Sequence, residues 1–292
     1  MHHEKAMPFR TRREVLLAAT AGSVAAAARE SLPAVKLGPH TVSRLILGMN
    51  PISGNSHVSP QLSAEMRDYF TVANIKKLLA NCERAGINAG VFRGDRHIIR
   101  LMHEYRQGGG RMQCIAVPAP EYGDFAANLR EIAALEPIAI YHHGTMTDRY
   151  WMNGKIDEVY ERIKIMRQSG ATIGLGSHLP EVIDYVESKG WDVDFYMTCV
   201  YQIVQGDTFR DADREKMLAR VRQTQKQCLI FKVYGATRHC ATAETRLAAL
   251  ELAFRYAKPT DAVVIGMYPK VTEQVRENCR LVMRAMARTR AT

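Results

Sequence analysis

Short apolar runs alternate with longer amphipathic stretches from residue 44 to the end of the chain. Each run has few polar positions, which is typical of strands that are buried on both faces of a sheet. Eight such runs are present, at Arg44–Met49, Ile87–Phe92, Gln113–Val117, Ile138–Tyr141, Ala171–Leu175, Phe195–Val200, Leu229–Val233 and Ala262–Ile265. We predict a β-strand at each of them.

The stretches between the runs have apolar residues at helical spacing, and several begin after Thr, Asp or Pro, which favour helix starts. They are Val72–Ala85, the shorter His97–Arg106, Phe125–Leu135, Ile156–Gln168, Pro180–Lys189, Asp213–Gln225, Ala243–Tyr256 and Thr272–Ala287. Repeated strand-then-helix units predict an α/β protein with a closed (β/α)8 barrel, the TIM barrel. A doubly wound open sheet is the alternative, but it normally needs a Gly-rich first turn, and Gly48–Pro51 is not one.

The first 28 residues have a different character. Arg12 and Arg13 precede an apolar stretch of small residues, 18–28, which is too short and too rich in Ala to span a membrane. Paired arginines before such a stretch are typical of a twin-arginine export signal, and Val24–Ala28 offers small residues to a signal peptidase. A basic N-terminal helix on a soluble protein is the alternative interpretation.

We therefore expect cleavage near Ala28, the twin-arginine translocase as a partner during export, and a periplasmic or secreted protein. The mature chain, residues 29–292, has 264 residues, which suits a single barrel domain. Its basic residues are scattered and carry no interleaved aromatic residues, which argues against nucleic-acid binding. A stable membrane span is not expected in the mature protein, and the six cysteines form no Cys-x-x-Cys pair.

In barrels of this kind the chemistry lies where strands end and the following loops begin. Candidate substrate-binding residues near those positions are Asn50, Arg93, Arg96, His97, His143, Trp151 and His178. The loops 51–70 and 144–155 are expected to roof the mouth, where Tyr150 and Trp151 would either stack on a sugar or pack locally. Four basic residues would make the mouth cationic: Arg93, Arg96, Lys232 and Lys270.

Several segments resemble the aldo-keto reductases, in the order and at the spacing found in that family. They are Val42–Gly48, Ala85–Asn88, Ile173–Ser177, Val200–Gln202, Val264–Gly266 and Arg276–Asn278. The resemblance implies a TIM barrel and a nicotinamide cofactor. It also implies cofactor-side positions at Ser177, Gln202, Lys270, Glu277 and Asn278.

The family's reaction uses a Tyr acid, a Lys and an Asp that support it, and a His that orients the substrate carbonyl. Here Val91 stands at the Asp position, Arg96 near the Tyr position and Pro118 where the Lys belongs, so only His142 matches. The aromatic residue that stacks on the nicotinamide is replaced by Lys232. Ordinary carbonyl reduction is therefore not expected, NADP binding should be weak or absent, and the cofactor remains open.

Two rebuilt sites fit the remaining polar residues. In one, His142, His143 or His178, with Asp95, His97 or Cys199, binds a divalent metal. Adjacent histidines on a strand point to opposite faces, so His142 and His143 can both be ligands only if the strand has already ended.

In the other, Lys232 is a reactive amine near His142 and Tyr201. The alternative is that Lys232 pairs with a carboxylate such as Asp95 or simply binds an anionic substrate. These four residues are the candidate catalytic set, and loss of His142 is predicted to damage activity most. The sequence thus indicates an enzyme that acts on a carbonyl or sugar-like compound. The alternatives are a nicotinamide-dependent oxidoreductase with an altered tetrad and a non-catalytic ligand-binding barrel.

Overall fold

The fold is a closed parallel barrel, described by a computed structural model over residues 32–201 and 209–290. Each barrel strand pairs with its neighbours in chain order, and the last strand pairs with the first. The barrel strands are β3 (Leu45–Gly48), β4 (Ala89–Arg93), β5 (Gln113–Val117), β6 (Ala139–His142), β7 (Thr172–Ser177), β8 (Phe195–Cys199), β9 (Gln227–Phe231) and β10 (Ala262–Gly266). The predicted TIM barrel is confirmed, and each strand lies within two residues of its predicted bounds.

Helices cover the outside of the barrel. They are α1 (Pro60–Tyr69), α2 (Val72–Arg84), α3 (Arg96–Gln107), α4 (Phe125–Ala133), α5 (Gly144–Met152), α6 (Ile156–Arg167), α7 (Pro180–Ser188), α8 (Arg214–Gln223), α9 (Ala243–Tyr256) and α10 (Gln274–Arg290). In the described ranges no helix is both long and apolar enough to cross a membrane. The predicted export signal lies outside the described residues.

Two predicted loops contain helices. The segment 51–70 includes α1, which begins where the Ser59 side chain accepts a hydrogen bond from the Leu62 N–H and Pro60 occupies the first turn. The segment 144–155 includes α5, whose buried positions Gly144, Thr147 and Asp148 recur at helical spacing. Small and polar residues replace the usual apolar ones on that face, so the pattern did not indicate a helix.

A hairpin that the sequence did not indicate precedes the barrel. Its strands are β1 (Ala34–Leu37) and β2 (His40–Ser43), which pair antiparallel across a turn with Gly38 at a φ of +57°. Leu37 and Val42 pack into the apolar cluster inside the barrel. The hairpin also bonds to the residues that precede two barrel strands, because the Ser43 N–H donates to the Asn88 side chain. It therefore closes the barrel at the amino ends of the strands.

Side chains alternate along each strand between the inside of the barrel and the helix layer. On β6, Ala139 and Tyr141 belong to the inner apolar cluster, whereas Ile140 belongs to the cluster between strands and helices. On β7 the inner positions are glycines, and the Phe195 ring of β8 lies where a side chain at Gly174 would be. This alternation decides which polar residues reach the mouth of the barrel.

Candidate active site

A cavity of about 850 Å³ opens at the carboxyl ends of the barrel strands. Residues that follow β3, β5, β6, β7, β9 and β10 contribute to its wall, as expected for the active-site end of a TIM barrel. Several predicted site residues line it: Asn50, Arg93, His143, His178, Lys232, Glu277 and Asn278. The structure places these seven residues in the wall of the cavity, and their roles stay predictions.

Two residues of this wall, His178 and Lys232, form a hydrogen-bonded chain with the buried Asp148, which does not line the cavity. The Nδ1 of His178 lies 2.6 Å from the Oδ2 of Asp148, and the Nε2 of His178 lies 3.4 Å from the Nζ of Lys232. An ionised carboxylate only accepts hydrogen bonds, so Nδ1 of His178 carries the proton. The unprotonated Nε2 then faces the lysine and accepts from its ammonium group.

Asp148 holds this chain in place from α5. It is buried, and it accepts hydrogen bonds from the Ser177 hydroxyl at 2.6 Å and from the His178 backbone N–H at 3.1 Å. Because Ser177 ends β7, the carboxylate fixes the start of the loop that carries His178. The sequence prediction missed Asp148. The buried face of α5 carries Gly144, Thr147 and Asp148 instead of apolar residues, so the sequence pattern had no signal for this carboxylate.

Lys232 directly follows β9 and has an unusual backbone conformation. Its φ is +58°, in the left-handed region that residues other than glycine rarely adopt. Ala236 and Thr237 in the same loop also have positive φ values, of 48° and 79°. Such residues cost about 1–3 kcal/mol each and are concentrated at functional sites. Among the described residues, Lys232 forms no ion pair with a carboxylate.

Buried imidazoles at this end of the barrel are neutral. Burial lowers the pKa of His143 to about 4, and the neighbouring His178, Arg93 and Lys232 lower it further than Asp148 raises it. Burial also lowers the pKa of His178, although its hydrogen bond to Asp148 acts in the opposite direction. Near pH 7 both rings therefore offer one lone pair and one N–H.

The position of His142 corrects the prediction that this residue lies at the mouth of the barrel and matters most for activity. Its side chain is 1% exposed, does not line the cavity and lies among helices, with its ring near Phe125 and Tyr150. Its Nδ1 bonds to the Thr147 hydroxyl at 2.8 Å, and burial lowers its pKa to about 3. The alternation along β6 turns His142 towards the helix layer, and His143 instead reaches the mouth.

Two other predicted catalytic residues lie elsewhere. Asp95 caps the N-terminus of α3, where its side chain accepts from the Ile98 N–H, and it does not line the cavity. Tyr201 is fully buried, with its hydroxyl 3.4 Å from Asp211, and it packs against Phe209 rather than facing the mouth. Of the predicted catalytic set, only Lys232 lies in the wall of the cavity.

Of the remaining predicted site residues, those that the structure describes do not line the cavity. Arg96, His97 and Lys270 are exposed and do not line the cavity. Ser177 is buried beneath the wall, where it binds Asp148, and Gln202 lies outside the described residues.

The predicted sugar-stacking pair at the mouth also packs elsewhere. Trp151 packs on Tyr185 of α7, with ring centroids 5.3 Å apart, and does not line the cavity. Tyr150 accepts a hydrogen bond from Arg162 in the helix layer. Because 144–155 forms a helix against the barrel, these rings are not on a mobile rim.

The structure also corrects the prediction that the mouth is cationic. Arg93 pairs with Glu121 and lies 3.4 Å from the Asp95 carboxylate. At the far end of the cavity Arg246 pairs with Glu277. Beside it, the Tyr234 hydroxyl donates to the Asn278 side chain at 2.7 Å. Both arginines in the wall are therefore compensated by carboxylates.

The metal hypothesis does not fit the donor geometry. Across residues 32–201 and 209–290, no group of three His, Cys, Asp or Glu side chains is arranged to hold a metal ion. His142 faces the helix layer, and the Nδ1 of His178 is occupied by Asp148. The three predicted histidine ligands are therefore not brought together.

Comparisons with known proteins show likeness in structure but not in sequence. No protein-family model and no curated protein matches the chain. The apo structure of a protein called Gox0644 aligns with a TM-score of 0.55 and 12% identity, over 89% of this chain and 94% of that one. A truncated 3-deoxy-D-arabino-heptulosonate 7-phosphate synthase from Thermotoga maritima aligns with a TM-score of 0.54 and 11% identity, over 89% and 93%.

The glycerol dehydrogenase AKR11B4 from Gluconobacter oxydans, an aldo-keto reductase, aligns with a TM-score of 0.51 and 11% identity, over 90% and 96% of the two chains. At this level of identity the alignments show the fold alone, and TIM barrels host many unrelated reactions. The chain is thus similar in fold to TIM-barrel enzymes of more than one chemistry, an aldo-keto reductase among them.

Proposed function

We propose that this protein is an enzyme that acts on small carbonyl compounds, such as hydroxyaldehydes and ketoses, by forming a Schiff base through Lys232. The observation that carries the proposal is the chain that runs from Lys232 and His178, in the wall of the cavity, to the buried carboxylate of Asp148. A primary amine is the nucleophile that converts a carbonyl into an iminium ion, but only the unprotonated amine attacks. The chain provides a place for the proton of the ammonium group to go.

Proton transfer along this chain follows from its hydrogen bonds. Nε2 of His178 accepts the proton from the Lys232 ammonium group, which leaves a neutral amine. The imidazolium that forms is stabilised by the Asp148 carboxylate on its other nitrogen. The same logic underlies catalytic triads, in which a buried carboxylate fixes the histidine tautomer and stabilises its charged form. Here the group that loses its proton is an amine instead of a hydroxyl.

The surroundings of Lys232 support the assignment. Phe209 and Phe231 lie on its flanks, with ring centroids 5.6 and 5.8 Å from Nζ. These rings restrict water around the amine, and iminium formation releases water. The left-handed backbone at Lys232 is unfavourable for a lysine, so the loop conformation is maintained by its neighbours at a cost in free energy.

The charge balance of the cavity favours neutral polar substrates. Arg93 and Arg246 have carboxylate partners, and the charge of Lys232 is compensated through His178 by Asp148. Asn50 and His143 add uncharged hydrogen-bonding groups to the same wall. Carbonyl compounds with hydroxyl groups fit this lining, which agrees with the sugar-like substrate class expected from the sequence.

Reductive trapping tests the proposal. Wild-type protein incubated with glycolaldehyde, glyceraldehyde or dihydroxyacetone and sodium cyanoborohydride should gain one adduct, which peptide mapping by mass spectrometry assigns to Lys232. The adduct should disappear in Lys232→Met, because the thioether cannot form an imine. Lys270→Met is the matched control, since Lys270 is exposed and outside the cavity wall.

The control variant should be trapped at Lys232 as fast as the wild type. Adducts spread over many exposed lysines, at rates similar to that of Lys232, would show that the amine has no special reactivity and would remove the proposal.

We also propose that the protein acts outside the cytoplasm, after export by the twin-arginine route. The support is in the sequence: Arg12 and Arg13 precede the small-residue apolar stretch 18–28. Replacement of both arginines by lysine should leave the precursor in the cytoplasm, as measured by fractionation and immunoblotting. An unchanged periplasmic yield of the double variant would contradict this route.

A further inference from the structure

We infer that His143 exchanges a proton with the carbon next to the carbonyl that Lys232 holds, so that the site interconverts an iminium ion with its enamine. The inference rests on the proposed function, because the carbon becomes acidic only when the carbonyl is an iminium. It assigns to His143 a reaction that the trapping of Lys232 does not itself require.

The hydrogen-bonding state of His143 is the first observation. Its Nδ1 is buried and has no hydrogen-bond partner among the described residues. The Nδ1 atoms of both neighbouring histidines are engaged, that of His142 by Thr147 and that of His178 by Asp148. A buried polar atom without a partner costs about 1–3 kcal/mol, so it needs an explanation such as a ligand that completes it.

The position of His143 is the second observation. It stands at the N-cap of α5, yet its side chain does not cap the helix. The side chain is turned instead into the cavity, in whose wall it lies with Lys232 and His178. The side chain of an N-cap residue normally accepts a hydrogen bond from a backbone N–H in the first turn of the helix. Among residues 32–201 and 209–290, His143 therefore has no hydrogen-bond partner that would account for its imidazole.

The packing of β6 and β7 sets His143 beside the proton-transfer chain. β6 and β7 pair with His142 opposite Leu175, which brings His143 next to Gly176. A side chain at Gly176 would lie 2.9 Å from the Gly144 backbone nitrogen, so glycine is needed for the two segments to pass this closely. A side chain at Gly144 would in turn reach within 3.4 Å of the His178 ring.

The charge state of His143 suits a proton acceptor. Burial and the neighbouring positive charges lower its pKa to about 4, so the ring is neutral near pH 7 and has a free lone pair. His143 and Lys232 line the same cavity. Once Lys232 has become part of an iminium ion, the neutral imidazole of His143 shares this cavity with the carbon that the iminium acidifies.

The step balances without any further reactant. The Lys232 amine adds to the carbonyl carbon, and the carbonyl oxygen leaves as water, with one proton from the amine and one from the His178 imidazolium, to form the iminium. His143 then takes a proton from the adjacent carbon, and the electron pair of the C–H bond forms the enamine double bond as the iminium nitrogen regains its lone pair. Return of a proton from the imidazolium to the same carbon reverses the step, and exchange of that proton with solvent in between labels the carbon.

Deuterium exchange tests the inference. In D2O the wild type should exchange the carbon-bound protons of dihydroxyacetone, followed by proton NMR, and Lys232→Met should abolish the exchange above the buffer background. His143→Gln should slow it roughly 100-fold, the usual contribution of a positioned acid or base. Its cyanoborohydride adduct should form less than tenfold more slowly, because iminium formation uses Lys232 and His178.

His143→Ala with added imidazole separates a catalytic from a structural role. Free imidazole should restore part of the exchange, and it should not do so in Lys232→Met. His97→Gln is the control, since His97 is exposed and outside the cavity.

Three outcomes would overturn the inference. In the first, the wild type is trapped at Lys232 but shows no exchange above the buffer background. In the second, His143→Gln exchanges as fast as the wild type. In the third, the wild type is not trapped at all, which refutes the proposed function and this inference together.

Discussion

Asp148→Asn is expected to lower both the stability of the barrel and the rate at which Lys232 reacts. Asp148 accepts from the Ser177 hydroxyl, the His178 N–H and Nδ1 of His178. An amide of the same shape presents an NH2 group to one of these donors, so a buried donor loses its partner. We expect about 2–3 kcal/mol less free energy of unfolding, the usual cost when hydrogen bonds to a buried charged group are lost.

The effect on reactivity should be larger than the effect on stability. Without the carboxylate, His178 is free to adopt the tautomer with its proton on Nε2, which cannot accept a proton from Lys232. Carboxylate-to-amide changes behind a catalytic histidine reduce rates by on the order of 10⁴, and a trapping rate lowered roughly 10²–10⁴-fold is expected here. Urea unfolding and the cyanoborohydride trapping rate measure the two effects separately.

Asp157→Asn is the matched control, because Asp157 is an exposed carboxylate whose side chain, within the described part of the chain, accepts a hydrogen bond only from the Tyr185 hydroxyl. It should change neither quantity appreciably. A wild-type trapping rate in Asp148→Asn would mean that the carboxylate does not orient His178, and the proton-transfer chain would have to be abandoned.

Gly174→Ala should destabilise the barrel by about 3 kcal/mol, in the upper part of the range for overpacked cores. A methyl group at this position would lie 2.4–2.6 Å from atoms of the Phe195 ring, which is fully buried inside the barrel. The Phe195 ring has no free space to move into, because it is itself part of the apolar cluster inside the barrel. The free energy of unfolding in urea is the measurement.

A second substitution shows whether the contact with Phe195 is the cause. Phe195→Leu alone leaves a cavity and should also destabilise the protein, but the added methyl group of Gly174→Ala would partly fill it. The double variant should therefore be more stable than the sum of the single changes predicts. Gly123→Ala is the control, since no heavy atom lies within 4 Å of the added methyl group and its φ is not positive. Strictly additive effects would contradict this explanation.

The barrel was predictable from the sequence because its strands are buried on both faces and therefore appear as continuous apolar runs. Gln113–Val117 was predicted with the bounds that the structure gives. The hairpin Ala34–Ser43 was not found because its two strands are short, half-exposed and mixed in polarity. Such strands are defined by their contacts with the barrel rather than by a local pattern.

The candidate site was predictable only in part. Lys232 and His178 lie near the ends of predicted strands, although both observed ends differ from the predicted ones by two residues, and both side chains lie in the wall of the cavity. Two adjacent histidines lie at the end of β6, so a shift of one residue in the predicted strand end decides which of them faces the mouth. In the structure His143 lines the cavity and His142 does not. Asp148 comes from a helix that the sequence pattern did not reveal, so its pairing with His178 depends on tertiary packing.

The hairpin at the amino ends of the strands has a practical consequence for how the protein can be handled. Because Leu32 lies at the entry to this hairpin and the cavity opens at the carboxyl ends of the strands, a linker attached there joins the face opposite the mouth. Protein immobilised on a sensor surface through residue 32 would thus present its cavity to the flowing solution. Candidate ligands could then be screened without the surface blocking their entry.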